Sequence, residues 1–69
     1  MEPGVYAGTY VGKEMFGFKQ NHTYQFKLTH NGINYELTAF SDDTEDEETN
    51  LYVVYSSEKS IKTYWDIEE

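Results

Sequence analysis

The most regular stretch of this sequence is residues 24–39, Tyr-Gln-Phe-Lys-Leu-Thr-His-Asn-Gly-Ile-Asn-Tyr-Glu-Leu-Thr-Ala. Apolar and polar side chains alternate on both sides of Asn31-Gly32, which is the period of a half-buried β-strand. Asn-Gly is also the preferred pair for a two-residue type I′ turn, because both central positions of that turn need a positive φ. The stretch therefore predicts a β-hairpin with a tight turn at Asn31-Gly32.

This turn predicts a register, in which His30 faces Ile33 and the pairing continues outward from there. The facing pairs on one side are all apolar: Leu28–Tyr35, Phe26–Leu37 and Tyr24–Ala39. On the other side Lys27 faces Glu36, and opposite charges in facing positions stabilise a strand pair. The apolar side is therefore predicted to be buried, with Phe26 and Leu37 as neighbours at its centre.

The residues before and after the hairpin predict one more strand and two loops. Residues 5–11 are rich in β-branched and aromatic side chains, which predicts a first strand with a bulge at Gly8. Residues 12–21 follow neither the strand nor the helix period and predict a long loop. Residues 41–50 contain no apolar side chain and six acids between positions 42 and 48, which is typical of a solvated loop.

The C-terminal third predicts a strand, a helical turn and a short last strand. Residues 51–55, Leu-Tyr-Val-Val-Tyr, have the β-branched and aromatic composition of a strand. Ser56 or Ser57 can cap a helical turn that runs to Tyr64. Trp65 and Ile67 indicate the last strand. The whole chain, residues 1–69, is therefore predicted to be one mainly β domain of four to five antiparallel strands with one short helical turn near its C-terminus.

The order of these elements resembles that of a small SH3-like barrel, with an OB-like barrel as the alternative. The resemblance rests on a strand, a long loop, a hairpin, a further strand, a short helical turn and a last strand. The proline-peptide groove signature of SH3 domains proper is not found in the sequence. Residues 54–65, Val-Tyr-Ser-Ser-Glu-Lys-Ser-Ile-Lys-Thr-Tyr-Trp, are similar to the C-terminal end of short proteins from phages and mobile elements. A cytoplasmic protein is expected, because residues 1–4 lack the basic and apolar regions of a signal peptide. For a protein encoded by a phage, this would be the cytoplasm of the host.

The charge of the chain limits its partners. The formal net charge is −8, there is no arginine, and residues 36–69 hold eleven of the 13 acids. Nucleic-acid affinity rests on Lys and Arg side chains that neutralise phosphates, so direct binding to nucleic acid is not expected. An anionic membrane surface is disfavoured for the same reason, and no apolar run is long enough to span a bilayer. A protein with a basic surface is the favoured partner.

The residues that carry chemistry are sparse. Cysteine is absent. His22 and His30 lie near opposite ends of one predicted strand, too far apart to bind the same metal ion. The acidic run lacks the glycine that a calcium-binding EF-hand loop needs at its sharp turn. No serine lies in a nucleophile elbow. We therefore expect no catalytic residue, no metal site and no cofactor, and a protein that is not an enzyme.

Two sets of residues are candidates for partner binding. The acidic set is Asp42, Asp43, Glu45, Asp46, Glu47 and Glu48, and the aromatic set is Phe16 and Phe18 of the long loop. The first hypothesis is a small protein-binding module that uses the aromatic loop and an edge strand, with a second copy of the chain as an alternative partner. The second is a nucleic-acid mimic, whose carboxylates occupy the basic site of a nucleic-acid-binding protein.

Overall fold

Five antiparallel strands form one sheet, with a short helix between the last two strands. The computed structural model of the chain describes residues 1–42 and 47–68. Its elements are β1 (Gly4–Tyr10), β2 (Thr23–His30), β3 (Tyr35–Asp42), β4 (Glu47–Tyr55), α1 (Glu58–Tyr64) and β5 (Trp65–Glu68). The prediction of a mainly β chain with a helical turn before its last strand is confirmed.

The strands lie in the order β4-β3-β2-β1-β5, so β4 and β5 are the two edges of the sheet. Between residues 1–42 and 47–68, β4 pairs with β3 and β5 pairs with β1, but the two edges do not pair with each other. The described strands therefore form an open sheet. The sequence predicts a small barrel, closed or half-open, and a closed one is not seen in the pairing of these strands.

The predicted hairpin exists, but its register differs by two residues. Leu28 faces Leu37 and Phe26 faces Ala39, so the predicted Phe26–Leu37 pair is wrong, although both side chains are fully buried. Each strand keeps its buried face because a shift of two residues equals one side-chain period. Lys27 faces Thr38 in place of Glu36.

The register shifts because the turn has four residues, 31–34, in place of two. A type I′ turn needs positive φ at both central residues, and here Gly32 has it (φ +93°) but Asn31 does not. The Asn31 side-chain oxygen instead accepts hydrogen bonds from the backbone N–H groups of Ile33 (2.9 Å) and Asn34 (2.7 Å). Such side-chain bonds are the usual alternative turn chemistry of Asn. Ile33 is left on the surface, 79% exposed.

Gly8 does not form the predicted bulge, since β1 pairs with β2 without interruption from Gly4 to Thr9. Its lack of a side chain serves close packing instead. A Cβ at this position would lie 3.1 Å from Ile67 Cγ1 and 3.4 Å from Phe26 Cε2, so a side chain would push β5 and the core apart.

The core is a cluster of aromatic rings centred on Trp65. Its ring centroid lies 5.1–5.8 Å from those of four other buried rings, which come from β1, the long loop and β2: Tyr10, Phe18, Tyr24 and Phe26. Aromatic pairs at these separations contribute about 0.5–1.5 kcal/mol each beyond the area they bury. One side chain of the last strand therefore connects three distant parts of the chain.

Ser57 begins the helix by accepting a hydrogen bond on its side-chain oxygen from the backbone N–H of Ser60 (3.3 Å). Of the two serines predicted as caps, it is therefore the one that serves. Glu58 and Lys62 form an i,i+4 ion pair at 3.6 Å on the exposed side, and Ile61 is fully buried on the other. A seven-residue helix is too short to be stable alone, so the burial of Ile61 holds it.

Replacing Phe26 with Ala should remove a fully buried ring that packs on Trp65 and Tyr6. We expect the free energy of unfolding to fall by about 3–5 kcal/mol, which would largely unfold a domain with a stability of about 5 kcal/mol. Urea titration followed by tryptophan fluorescence measures this loss. Ile33→Ala is the control, because the exposed Ile33 should change the stability by no more than about 0.5 kcal/mol. Equal stability of the two variants would contradict the described core.

Tyr55→Phe tests the hydrogen bond in which the Trp65 indole N–H donates to the Tyr55 hydroxyl (2.9 Å). At pH 7 the substitution should lower the free energy of unfolding by about 1–3 kcal/mol, because a buried donor loses its acceptor. Burial raises the pKa of the Tyr55 phenol to about 12, although the Trp65 hydrogen bond acts to lower it. The pKa is above that of an exposed tyrosine, so the resulting stabilisation is present below about pH 10 and is lost between about pH 10 and 12.

Thermal melts between pH 7 and 12 compare this variant with Tyr35→Phe, a tyrosine at the β2–β3 turn. The melting temperatures of the wild type and the control should fall steeply above about pH 10. Tyr55→Phe should have a lower melting temperature at pH 7 and should lose less of it above about pH 10. Parallel curves for all three proteins would show that Tyr55 does not titrate as described.

Candidate functional site

The outer face of β4 carries large apolar side chains that the core does not use. Along this strand Val53 and Tyr55 are buried, whereas the alternate residues Tyr52 and Val54 are 54% and 44% exposed. Tyr52 faces Thr38 of β3, and Val54 faces Glu36. Scattered apolar residues are common on protein surfaces, but adjacent ones on one strand form a patch of the kind that protein interfaces use.

Glu36 gives this patch a negative charge. It lies diagonally across from Tyr52, on the same face, because their direct partners on the opposite strand are Val54 and Thr38. Partial desolvation raises the pKa of the Tyr52 phenol. The charge of the Glu36 carboxylate and its hydrogen bond with the phenol raise this pKa further. We call Glu36, Tyr52 and Val54 the β4 surface. It combines an aromatic ring, an aliphatic side chain and a carboxylate, which suits a partner side chain with an apolar stem and a positive end.

More of the acidic run belongs to strands than the sequence predicts. β3 continues to Asp42 and β4 begins at Glu47, and these two residues face each other across the pair. Glu48 likewise faces Ser41. Residues 41, 42 and 47–50 therefore belong to strands, so the prediction of a solvated loop over 41–50 is wrong for them. Of the acidic set, Asp43, Glu45 and Asp46 lie outside the described residues.

Asp42 is buried, with its side chain 4% exposed, and its Oδ2 lies 3.1 Å from His22 Nδ1. Against β2, Phe40 is an extra residue between Ala39 and Ser41, and this places Asp42 opposite the inward-facing Tyr24. An extra residue reverses the alternation of a strand beyond it. The prediction that Asp42 contacts a partner therefore does not fit its place, because the bulge turns its carboxylate into the domain.

The aromatic set is divided in the same way. Phe18 is 1% exposed and packs against Tyr10, Tyr24 and Trp65, so it is a core residue and cannot offer its ring to a partner. Phe16 is 65% exposed. The prediction of a joint Phe16–Phe18 contact site is therefore corrected to Phe16 alone.

Phe16 is held at the tip of a tight turn. The Phe18 N–H donates to the Met15 carbonyl (3.0 Å), and the two residues between them both have positive φ, +55° at Phe16 and +88° at Gly17. This is the pattern of a type I′ turn. Gly17 rests on β4, where a Cβ would lie 2.6 Å from Leu51 Cδ2. Positive φ is uncommon for an aromatic residue and is strained, so packing on both sides must hold this turn in place.

The two histidines have structural contacts. His22 pairs with Asp42, and the His30 ring lies 4.5 Å from that of Tyr35 while its Nδ1 accepts the Gly32 N–H (3.2 Å). Within residues 1–42 and 47–68, no three His, Asp or Glu side chains come close enough together to hold a metal ion.

The chain matches no protein-family model, no curated protein and no solved structure. In the part of the chain that the structure describes, the one helix, α1, is too short and too polar to cross a membrane. The β4 surface and the exposed Phe16 are therefore the features on which a function can be argued.

The sequence offered no means of separating these residues from the core. Tyr52 and Val54 lie in an unbroken apolar run with Leu51, Val53 and Tyr55, and such a run does not show which face is buried. The exposure of Val54 could have been inferred only with the correct β3–β4 register.

Asp42→Asn should lower the free energy of unfolding by about 1–3 kcal/mol, because it weakens the buried hydrogen bond to His22. Asp66→Asn is the matched control, since Asp66 is an exposed acid on β5 and its replacement removes the same charge. Urea titration at pH 7 measures both. A loss no larger for Asp42→Asn than for the control would mean that Asp42 is a solvated surface acid after all.

Proposed function

We propose that this chain is a small, acidic, non-enzymatic protein-binding module whose β4 surface contacts a partner protein with a basic surface. The observation that carries the proposal is the exposure of Tyr52 and Val54 on adjacent outward positions of an edge strand. Both belong to a domain whose aromatic core is already complete without them. Aromatic side chains are enriched in the centres of protein interfaces, where they bury a large area at a low cost in conformational entropy.

Charge complementarity supports the basic partner. The chain carries a net charge of −8, and Glu36 places one carboxylate within the β4 surface itself. A field of this sign speeds the encounter with a basic protein and disfavours acidic ones. The apolar pair Tyr52 and Val54 would then supply contact area that does not depend on salt.

An SH3-like, half-open barrel is the fold we propose for the module. The strand order β4-β3-β2-β1-β5 supports it, together with the long loop between β1 and β2 and the helical turn between β4 and β5. Around that turn the Trp65–Tyr55 hydrogen bond joins β5 to β4, and Val11 N donates to the Tyr64 carbonyl (2.8 Å). The first of these bonds brings the two edges toward each other without strand pairing, and the second fixes the end of the helix to the end of β1.

We also infer, from residues 54–65 alone, that the module comes from a phage or mobile element and acts in the host cytoplasm. The structure uses this segment for the end of β4, the helix and Trp65. A role in packing accounts for its buried positions Tyr55, Ile61 and Trp65, so the inference rests on the resemblance.

A nucleic-acid mimic is the second candidate. The observation that favours it is that Glu47 and Glu48 continue β4 as a strand, so the acidic run is partly held on a regular backbone. Alternate residues of a strand lie about 6.6–6.8 Å apart, close to twice the 3.4 Å advance per nucleotide of one DNA strand. In this case binding would depend on the carboxylates and not on Tyr52 and Val54.

One capture experiment separates the two candidates. The immobilised chain is exposed to a bacterial lysate at about 0.05 M and about 0.5 M salt, and bound proteins are identified by mass spectrometry. A protein-binding module should retain its partner at high salt, because apolar contacts are not screened by ions. The double variant Tyr52→Ala/Val54→Ala should lose that partner, by tenfold or more if each side chain contributes about 1 kcal/mol.

The matched control is Val5→Ala/Ile33→Ala, which removes two exposed apolar side chains elsewhere on the surface. It should bind as the wild type does. Equal capture by both double variants would contradict the β4 surface as the binding site. Capture that vanishes at high salt, or that duplex DNA competes away, would replace the proposal with mimicry, since DNA and the mimic would seek the same lysines and arginines.

A further inference from the structure

The open edge of β4 can pair with another strand. Within residues 1–42 and 47–68, β4 pairs with β3 alone. The backbone hydrogen bonds that the described loops and caps make elsewhere do not reach residues 50–55 of β4. In an antiparallel edge strand, every second residue directs its N–H and C=O groups away from the sheet. These groups form a row that an added strand can bond.

Residues 51–55 of this edge lack the devices that natural proteins use to prevent unwanted pairing. Those devices are edge lysines, prolines, inward charges, bulges and very short edge strands. Residues 51–55, Leu-Tyr-Val-Val-Tyr, contain no charge and no proline, and they pair regularly with β3. The irregularity of β4 lies before them, where residues 49 and 50 stand opposite the single residue Phe40. The opposite edge is protected, because β5 has four residues and carries Asp66 and Glu68. The open run of five residues spans about 17 Å, enough for an added segment of about five residues.

The charge of the chain selects what this edge accepts. A second copy would bring a further charge of −8 to the interface, which opposes self-pairing. A basic segment has the complementary charge. Its outward side chains would lie beside Tyr52 and Val54. There a Lys or Arg stem can cover the exposed Tyr52 ring, with its charged end directed to Glu36.

We propose that β4 binds an extended basic segment of the partner protein as a sixth, hydrogen-bonded strand of the sheet. This inference rests on the proposed function, and it adds the recognition mode and the chemistry of the ligand. Main-chain hydrogen bonds would give the affinity, and alternate Lys or Arg side chains would give the preference for a basic segment.

The test uses synthetic eight-residue peptides in which Lys alternates with Val or Thr, labelled for fluorescence anisotropy. A control peptide has Glu in place of every Lys and should bind at least about tenfold more weakly to the full chain. Two further Lys peptides are N-methylated on alternate residues, one on the odd and one on the even positions. An added strand bonds through every second N–H, so one of these peptides should lose about tenfold or more in affinity and the other little.

Val54→Lys places a gatekeeper charge on the open edge and should weaken binding of the Lys peptide by about tenfold or more. Val5→Lys is the matched control, because it makes the same substitution at an exposed position of β1, a strand that does not pair with β4. It should retain wild-type binding. Thermal melts of both variants confirm that each is folded.

Strand addition is overturned if the two N-methylated peptides bind equally, if no Lys peptide binds better than the Glu peptide, or if both Val→Lys variants bind alike. It is also overturned if sedimentation shows that the chain self-associates and Val54→Lys abolishes this, because a second copy would then occupy the edge. Lysate capture that still depends on Tyr52 and Val54 would leave the proposed function standing in any of these cases. Loss of that dependence as well would remove both.

Discussion

The packing of Trp65 is the interaction on which the rest of this small domain depends. Its ring contacts others from β1, β2 and the long loop, and its N–H donates to Tyr55 at the end of β4. These contacts connect both edges of an open sheet, although the described residues of β4 and β5 do not pair as strands. A chain of 69 residues without cysteine has few other means of gaining stability, because a domain of this size buries only about 60% of its unfolded surface.

The long loop is organised by the same cluster. Phe18 enters the core from the loop, and the tight turn before it leaves Phe16 on the surface with a positive φ. Gly17, between them, rests against Leu51 of β4. The tip of the loop is therefore positioned by the core on one side and by the edge strand on the other. Phe16 is therefore exposed next to a residue, Gly17, that contacts β4.

The alternation of side chains on β4 separates the residues that pack in the core from those of the proposed binding surface. Val53 and Tyr55 belong to the core, whereas Tyr52 and Val54 are directed outward beside Glu36. A change on the outer face can therefore alter binding with little effect on folding, which is why surface variants are informative for this protein. The negative charge of the chain gives this apolar surface a preference for positively charged partners. Residues 51–55 of β4 carry no charge and leave backbone groups to which an added strand can bond.

The sequence was sufficient for the local features of this protein. Alternation predicted β2, β3 and the buried faces of the hairpin. The β-branched and aromatic composition of residues 51–55 predicted most of β4, and Ser56 or Ser57 was predicted to cap the helix. These patterns depend on neighbours in the chain, so they can be recognised without the fold. Its charge balance, likewise, follows from composition alone.

Pairing and exposure were set by contacts between residues distant in the chain. The Asn31 side chain lengthened the turn, the extra residue at Phe40 turned Asp42 inward, and Trp65 drew Phe18 into the core. Each outcome depends on a competition between alternatives that are locally similar in energy. An apolar run such as Leu51–Tyr55 also carries no mark of its buried side, and the register with β3 selects it. The candidate binding surface exists only after that register is formed.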